Sequence, residues 1–267
     1  MSKPLGLASW NVNSLRVRLP HLLEWLSLTA PDLVGLQETK VTDDLFPTQA
    51  IRDAGYEPYF TGQPTYNGVA ILARRERFES IADPSHGDPC FPDDQKRFLA
   101  VTAHPVGGEA LRFICVYVPN GSEVGSEKFE YKLRWLKALE SRLREELQRH
   151  PRLALVGDFN IAPTDADVYD PAAWHEKILC SSQERSAFNR LIALGLVDAL
   201  RTAQPQTEQL FTWWDYRAAG FRRNHGLRID HLLVTPRLAA TLDSAEVDKA
   251  PRALEKPSDH APVIARV

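Results

Sequence analysis

The sequence predicts an α/β protein in which mixed or antiparallel sheets pack face to face and helices cover their outer sides. Strand patterns follow one another without an intervening helix at residues 56–73 and 98–118, which requires antiparallel pairing. Helical patterns flank these runs, as expected for helices on the outer faces of such sheets. The 267 residues are 43% hydrophobic and contain no linker or repeat, so we expect one domain spanning residues 1–267.

Apolar runs and helical spacing assign the elements in chain order. Apolar runs predict strands at 5–10, 32–36, 56–60, 69–73, 98–103, 111–118, 152–156, 227–234 and 263–267. Apolar residues at helical spacing predict helices at 15–28, 44–54, 127–150 and 184–194. Residues 83–95 are expected to form a surface loop, and residues 165–180 to be irregular. Most basic residues near the start of the 127–150 helix, a group that includes Lys132, are interpreted as a solvated helix face.

Composition limits the class of protein. A net charge of −3 gives no general basic coat, so a nucleic-acid partner would need a local basic face. The three cysteines are odd in number and widely spaced, which argues against a disulfide framework and favours a reducing, cytoplasmic compartment. The N-terminus leads straight into a strand without a signal-peptide pattern, and no apolar run approaches the length of a membrane span. His86, Asp88 and Cys90 could suggest a metal site, but their spacing matches no specific pattern.

The chain is organised around the predicted strand 152–156 and the residues that follow it. Gly157 permits a sharp bend after the strand. Asp158 and Asn160 stand two residues apart, so in extended backbone their side chains point to the same side. Their oxygens suit Mg²⁺ or a water held near a phosphate, although an Asp/Asn turn after a strand is also common without any such role.

Polar side chains recur where predicted strands end or within them. They are Asn11, Glu38, Tyr117, Asp158, Asn160, Asp230, Asp259 and His260. Each alone is compatible with a cap, a turn or a satisfied buried polar group. If the strand ends converge, however, these side chains form one acidic pocket.

An acidic pocket of this composition favours a hard cation. Carboxylates placed together repel each other unless a cation neutralises them. Glu38 and Asp259, with Asn11, offer oxygen ligands and no thiolate, which selects Mg²⁺, or Mn²⁺ as a substitute, over zinc. His260 adds a base or a donor, and the carboxylate of Asp230 could fix its tautomer.

Seven short motifs stand along the chain: WNVN at 10–13, QETK at 37–40, YVP at 117–119, GDFNI at 157–161, WWDYR at 213–217, LRID at 227–230 and SDHAP at 258–262. Together they resemble the exonuclease III family of abasic-site endonucleases, within the endonuclease/exonuclease/phosphatase superfamily. The motifs stand in the expected order and cover essentially the whole chain. The block at 213–217, with 227–230, points to the abasic-site branch.

The resemblance implies a fold and an activity. The implied fold is a four-layer α/β/β/α sandwich with two mixed, largely antiparallel sheets. The implied reaction is Mg²⁺-dependent hydrolysis of the phosphodiester 5′ to an abasic site in duplex DNA. Family members of this kind often also remove 3′ blocking groups and degrade duplex DNA from 3′ ends. We expect a monomer that acts on such DNA.

The resemblance also assigns roles to residues of this sequence. The implied metal ligands are Asn11, Glu38, Asp158, Asn160, Asp259 and His260, and the implied catalytic residues are Tyr117, Asp158, Asn160, Asp230 and His260. In-line displacement at a phosphodiester requires an activated water, neutralised phosphate oxygens and a stabilised leaving oxygen. Either Asp158 or His260 could serve as the base, and one or two metal ions could bind.

Substrate contacts follow from the same resemblance. Trp213, Leu227 and Ile229 match the apolar wall that accepts an extruded abasic sugar. Arg222 and Arg223 are candidate DNA-backbone contacts, together with Lys128 and Arg97, although ordinary surface charge explains these four equally well.

Two positions depart from the family pattern, and other functions remain open. Asn67 stands where family members often carry a His or an aromatic residue, and His231 stands where an apolar residue or Tyr is common. These departures affect DNA contacts and the charge around Asp230. The alternatives are another phosphoesterase of the superfamily, such as a non-specific nuclease or an inositol or lipid phosphatase, and a catalytically inactive nucleic-acid-binding relative.

Overall fold

Two six-stranded sheets form the centre of the protein in a computed structural model that describes residues 4–87, 91–205 and 207–267. The strands are β1 (Gly6–Asn11), β2 (Leu33–Gln37), β3 (Tyr56–Thr61), β4 (Val69–Arg74), β5 (Phe78–His86), β6 (Phe98–Pro105), β7 (Leu111–Tyr117), β8 (Leu153–Asp158), β9 (Val197–Asp198), β10 (Trp213–Trp214), β11 (Gly226–Leu227), β12 (Asp230–Val234), β13 (Ser244–Val247) and β14 (Val263–Arg266). The helices are α1 (Leu15–Thr29), α2 (Thr48–Asp53), α3 (Glu127–Arg149), α4 (Pro171–Trp174), α5 (Ser182–Ile192), α6 (Ala199–Ala203) and α7 (Pro236–Ala239).

Both sheets are mixed and largely antiparallel. The first sheet has the order β13-β14-β1-β2-β4-β3, in which β1 and β2 run parallel. The second has the order β5-β6-β7-β8-β12-β9, in which β7 and β8 run parallel. The strands that follow one another without a helix, β3 with β4 and β6 with β7, pair antiparallel as the sequence predicted. The short strands β10 and β11 form a separate ribbon.

The elements stack in four layers. Leu7 of the first sheet and Phe113 of the second lie in one buried cluster between the sheets. Leu22 of α1 packs on the outer face of the first sheet. Leu136 of α3 and Phe188 of α5 pack on the outer face of the second. The fold is therefore the α/β/β/α sandwich that the resemblance implied.

The two sheets approach each other closely at Gly35 of β2. A Cβ atom at this position would lie 2.6 Å from Cγ2 of Val156 and 3.0 Å from Sγ of Cys115, both in the second sheet. Interiors are packed to near-crystalline density, so a side chain here would push the sheets apart.

The predicted loop at 83–95 was partly wrong, because residues 83–86 belong to the edge strand β5. Most side chains of this strand are exposed or half-buried, so it shows no apolar run. Its register with β6 is irregular between Ala82 and Ser85, around Pro84, and proline is tolerated on an edge strand. Of the suggested His86, Asp88 and Cys90 metal site, Asp88 and Cys90 lie outside the described residues.

Three other predicted elements differ in extent. The 44–54 helix is divided at Pro47, with a 3₁₀ turn before it and α2 after it. The segment 165–180 contains a 3₁₀ turn and the short α4. The 227–234 strand is split into β11 and β12, because the backbone of Arg228 bonds to Asp167 and that of Ile229 bonds to Phe159. Every helix in the described ranges falls short of the length and apolarity that a membrane span needs.

Candidate active site

The ends of strands from both sheets meet at one edge of the sandwich. Asn11 ends β1, and its Nδ2 donates to Oδ2 of Asp158, the last residue of β8, at 2.9 Å. Asp230 begins β12 directly opposite Asp158, because β12 runs antiparallel to β8. The segment before β14 returns beside β1, where Ser258 Oγ donates to the Asn11 carbonyl at 2.7 Å. The predicted convergence of polar side chains is therefore present.

Asn11 holds two carboxylates together across the sheets. Its Nδ2 also donates to Oε1 of Glu38 at 2.8 Å, so Glu38 and Asp158 share one amide. Its Oδ1 accepts from the backbone N–H of Asn13 at 2.9 Å. The side chain of Glu38 is 17% exposed, and it forms an ion pair with Lys40 at 2.7 Å. The pair of carboxylates is thus reachable from solvent on the Glu38 side.

Asp158 and Asn160 face each other through a turn rather than through extended backbone. Asn160 adopts a φ of 51°, and its backbone N–H donates to Oδ1 of Asp158 at 2.8 Å. Its Nδ2 donates to the Val118 carbonyl at 3.0 Å, and its Oδ1 accepts from Asn120 at 3.0 Å. Asparagine tolerates this left-handed conformation better than most residues. The two side chains point together, as predicted, but through the Asp/Asn turn that the sequence left open as an alternative and not through extended backbone.

His260 lies between two carboxylates. Its Nδ1 is 2.9 Å from Oδ2 of Asp230, and its Nε2 is 3.8 Å from Oδ2 of Asp158. Burial would lower the pKa of His260, but the carboxylates of Asp230 and Asp158 outweigh it and raise the pKa to about 10. The imidazole is therefore charged near neutral pH and donates from Nδ1 to Asp230.

Burial also raises the pKa values of two groups that face the same cleft, Asp158 and Tyr117. It raises the pKa of Asp158 above its ordinary value and outweighs the opposing charge of His260, and the repulsion of Asp230 adds to the increase. It raises the pKa of Tyr117 well above its ordinary value, an effect that Glu38 reinforces. The phenol of Tyr117 consequently stays protonated, and the Arg97 guanidinium stacks 4.7 Å from the centre of its ring.

Asp259 belongs to the rim of the site. Its Oδ2 accepts from the indole N–H of Trp213 at 2.9 Å, and its Oδ1 accepts from Asn13 Nδ2 at 2.9 Å. Burial would raise the pKa of Asp259, but the charge of His260 and these hydrogen bonds lower it. Asn13 in turn accepts from Lys40 Nζ at 2.7 Å, so a chain of hydrogen bonds links Asp259 to Glu38.

The described residues contain a cluster with the chemistry of a cation site. Glu38, Asp158 and His260 each present one ligand atom, and these atoms lie within 4.8 Å of one another. The carboxylate oxygens of Glu38 and Asp158 fit Mg²⁺, which prefers one or two carboxylates and keeps several waters. A charged His260 has no free lone pair, so it fits the role of a donor to the phosphate better than that of a ligand.

The predicted substrate residues are arranged unequally. Trp213 is partly exposed beside Asp259, whereas Leu227 and Ile229 are fully buried beneath it, in a cluster with Leu179 and Cys180. Trp213 is therefore the member of the predicted wall that faces solvent. Two further predicted residues, Arg222 and Arg223, are exposed in the turn between β10 and β11, and Lys128 is exposed on α3.

The solvated face predicted for most basic residues near the start of α3 is present at Lys128, Arg134 and Lys137, whereas Lys132 is the exception and is fully buried behind the site. Its Nζ donates to the carbonyl of Asn160 at 2.7 Å and forms an ion pair with the equally buried Glu184. A signal was present in the sequence. Lys132 stands on the apolar stripe of α3, three residues after Phe129 and four before Leu136.

A second buried network supports the site from below and was also missed. Arg228 pairs with Asp167 at 2.7 Å and with Asp198 at 2.5 Å. His231 Nδ1 lies 3.1 Å from Nη1 of Arg228, and its Nε2 lies 2.9 Å from the Ile161 carbonyl. Because arginine only donates, Nδ1 must accept and Nε2–H must donate, so His231 is neutral. Burial and Arg228 lower its pKa to about 4, and it adds no charge beside Asp230.

The other departure from the family pattern, Asn67, has a structural role. Its Nδ2 donates to Gln63 at 3.2 Å and to Gln95 at 3.1 Å. These bonds join the loop before β4 to the loop before β6, on the side of the cleft where Arg97 covers Tyr117.

Comparisons with known proteins agree with this site. The model of the endonuclease/exonuclease/phosphatase family matches residues 8–260. The exodeoxyribonuclease III of Haemophilus influenzae is 36% identical, over 96% of this chain and 97% of that protein. The Neisseria 3′ phosphatase NExo, solved with a product DNA hairpin, is 48% identical with a TM-score of 0.90, and 98% of each chain is covered. An AP endonuclease from Archaeoglobus fulgidus is 37% identical with a TM-score of 0.89, and again 98% of each chain is covered.

The matched range contains the strand ends and the carboxylates described above, from Asn11 to His260. Fold, cluster and relatives lead to the same conclusion. The chain belongs to the endonuclease/exonuclease/phosphatase family, as a phosphodiester hydrolase and DNA repair nuclease of the exonuclease III type.

Proposed function

We propose that this nuclease uses Mg²⁺, or Mn²⁺ as a substitute, to hydrolyse the phosphodiester 5′ to abasic sites in duplex DNA. We propose further that the same site removes 3′ phosphates and other 3′ blocking groups, and shortens DNA from its 3′ ends. The observation that carries the proposal is the convergence of Glu38, Asp158 and His260 at one edge of the sandwich. The similarity to a 3′ phosphatase and to an AP endonuclease supports both activities.

The metal ion would be held by Glu38 and Asp158, with Asn11 and Asp259 close by. When bound, it supplies positive charge to the phosphate oxygens and lowers the pKa of a water. The residues of the chain perform the remaining functions. Asp158 is suited to take a proton from the attacking water, because its carboxylate lies at the strand end beside Glu38 and His260.

The charged His260 favours electrostatic catalysis over a role as base. Its Nδ1 is committed to Asp230, and its Nε2 faces the cleft beside Asp158. In this position it donates to a non-bridging phosphate oxygen, where negative charge increases in the transition state. Asn160, fixed by Asn120 and Val118, orients the water or the phosphate beside Asp158.

Tyr117 is placed to assist the leaving oxygen. Burial raises its pKa well above the ordinary value, so the phenol remains a donor at the pH of the reaction. Arg97 packs on the ring and bonds to the Tyr117 carbonyl at 3.2 Å, which fixes the side chain. Arg97, Lys128, Arg222 and Arg223 provide positive charge for the DNA backbone.

The apolar wall supports recognition of the abasic sugar. Trp213 presents its partly exposed ring beside Asp259, over the buried Leu227 and Ile229. A sugar without a base has little stacking to lose, so a small apolar surface can select for it. We also keep the sequence-based predictions of a monomer and of a cytoplasmic location.

The experiment is an incision assay on three labelled duplexes, with Mg²⁺ or with EDTA. One duplex carries an internal abasic site, one a 3′ phosphate and one an intact 3′ end. We expect metal-dependent cleavage of all three, which Glu38→Gln and Asp158→Asn both abolish. Glu57→Gln is the control, because Glu57 lies on the edge strand β3 and pairs with the exposed Arg52. Release of the 3′ phosphate without incision at the abasic site would restrict the function to 3′ ends.

A further inference from the structure

The buried ammonium group of Lys132 bonds directly to the turn that follows Asp158. Both Lys132 and its partner Glu184 have 0% side-chain exposure. Removing two charges from water carries a large desolvation cost, so a buried ion pair contributes little net stability. The pair lies directly behind the cleft, where it can act on the loops that carry catalytic residues.

The ammonium group connects two loops that carry catalytic residues. A lysine ammonium has three donors, and here they reach Asn160 O at 2.7 Å, Asn120 O at 3.1 Å and the Glu184 carboxylate. Asn120 lies on the loop that follows Tyr117, and Asn160 lies on the turn that follows Asp158. One cation on α3 therefore fixes the backbone of both loops.

The side chains of these two loops depend on that backbone. Asn120 Nδ2 donates to Oδ1 of Asn160 at 3.0 Å, and the N–H of Asn160 donates to Asp158 at 2.8 Å. Asn160 holds a left-handed backbone conformation, which persists only when the surroundings enforce it. The bond from Lys132 to the Asn160 carbonyl is one of those constraints.

We propose that Lys132 is a positioning residue for phosphodiester hydrolysis. Anchored by Glu184, it holds the loop after Tyr117 and the turn after Asp158 at a fixed separation, so that the phenol and the carboxylate act on the same phosphate. Lys132 does not line the cleft and acts through Asn120 and Asn160. The proposal rests on the roles proposed above for Tyr117, Asp158 and Asn160.

Glu184 loses its counter-charge in Lys132→Met, but its carboxylate keeps other hydrogen-bond donors. Its carboxylate also accepts from the N–H of Leu179 at 3.0 Å, and from the N–H of Ser181 at 3.1 Å and its Oγ at 2.6 Å. It therefore keeps three donors in a Lys132→Met variant. Methionine has nearly the same length as lysine and is uncharged, so the variant mainly deletes the bonds of the ammonium group.

The second sheet offers a matched control. Arg112 is buried and pairs with Glu146 on the same helix α3, and its other bonds go to the Asp83 carbonyl and to Thr102. Glu146 keeps Arg142 as a partner when Arg112 is changed. Arg112→Met therefore also deletes a buried cation from a pair with α3, but none of the bonds named here involves a catalytic loop.

The test compares the two variants by thermal unfolding, by the KM for DNA and by the single-turnover rate with enzyme in excess. Both variants are expected to unfold at a lower temperature. Lys132→Met is expected to lower the single-turnover rate by about 10- to 100-fold, with KM changed by less than about threefold, because small misplacements of reacting groups cost rate rather than binding. Arg112→Met is expected to keep the rate within about twofold.

Two results would overturn the proposal. One is a folded Lys132→Met variant with the rate of the unmodified protein, and the other is an equal loss of rate in Arg112→Met. If Lys132→Met does not fold, Glu184→Gln replaces it, since this change loosens the ammonium group without removing it. We expect a smaller loss, about three- to tenfold, and an unchanged rate would contradict the proposal.

Asn160→Ala, measured in parallel, separates this inference from the proposed function. If Asn160→Ala is fully active, the role proposed for Asn160 fails, and the inference about Lys132 fails with it. If Asn160→Ala is impaired while Lys132→Met is not, only the inference about Lys132 fails.

Discussion

Nδ1 of His260 donates to the Asp230 carboxylate at 2.9 Å, while Nε2 of the same ring faces Asp158 at 3.8 Å. The imidazolium is therefore held between two carboxylates that end or begin strands of the second sheet, although His260 itself precedes β14 of the first sheet. This arrangement fixes a positive charge at the point where the two sheets meet.

Replacing Asp230 by asparagine is expected to slow hydrolysis by about 100-fold and to change its pH dependence. The pKa of His260, now about 10, falls when the carboxylate is lost. The charge of the imidazole is then lost as the pH rises through this lowered value, so the rate of the variant falls at alkaline pH relative to that of the unmodified protein. The measurement is a pH–rate profile between about pH 6 and 9. Parallel profiles would contradict the role of the dyad.

Replacing Glu38 by glutamine is expected to weaken Mg²⁺ binding by about 10- to 100-fold. The change deletes one of the two carboxylates that Asn11 holds together, but it keeps the size of the side chain. Calorimetric titration of the protein with Mg²⁺ in the absence of DNA measures the effect directly. Equal affinity in the two proteins would place the ion elsewhere.

Stability is expected to fall as the pH decreases from about 6.5 to 4, because of His231. Its pKa is about 4 in the folded protein and returns to about 6.5 on unfolding, so the unfolded chain binds more protons in this window and stability rises with pH. The contribution is at most about 3 kcal/mol. His231→Gln keeps a donor and an acceptor without titrating.

The measurement compares the free energy of unfolding of His231→Gln with that of the unmodified protein across the same pH window. The difference between the two proteins should shrink or change sign towards pH 4, and a constant difference would show that His231 does not titrate on unfolding.

Removing the Asp167 carboxylate is expected to destabilise the protein by about 3–5 kcal/mol. Asp167→Ala deprives the buried Arg228 of one carboxylate and breaks a second pair with Arg201. Denaturant unfolding measures the loss. Glu57→Ala, which breaks the exposed pair with Arg52, is the control and should cost far less, because an ion pair in solvent contributes little to stability. Similar losses in the free energy of unfolding for the two variants would show that the buried network stabilises the protein no more than an exposed ion pair does.

The sequence predicted the elements whose side chains are buried in a regular pattern. The central strands are fully buried apolar runs, and their ends carry the polar residues that the structure brings together, such as Asn11 and Asp158. The edge strand β5 was missed because it buries few side chains and carries a proline. β13 was missed for a similar reason, since two of its four residues are exposed.

The buried ionic groups could not be identified from local patterns alone. Lys132 is satisfied by Glu184, 52 positions away, and Arg228 is satisfied by Asp167, 61 positions away. A charged residue on an apolar stripe indicates burial only when a partner is available, and the partner is set by the tertiary fold. The tertiary fold also decides that Leu227 and Ile229 are buried beneath Trp213, which the local sequence does not show.

The cleft receives Asn11 and Glu38 from one sheet and Asp158 and Asp230 from the other. A ligand that contacts residues of both sheets holds the sheets together, and it binds only while the two sheets are correctly packed. Binding in the cleft should therefore raise the unfolding temperature and slow proteolysis of segments far from the cleft, because separating the two sheets requires the ligand to dissociate.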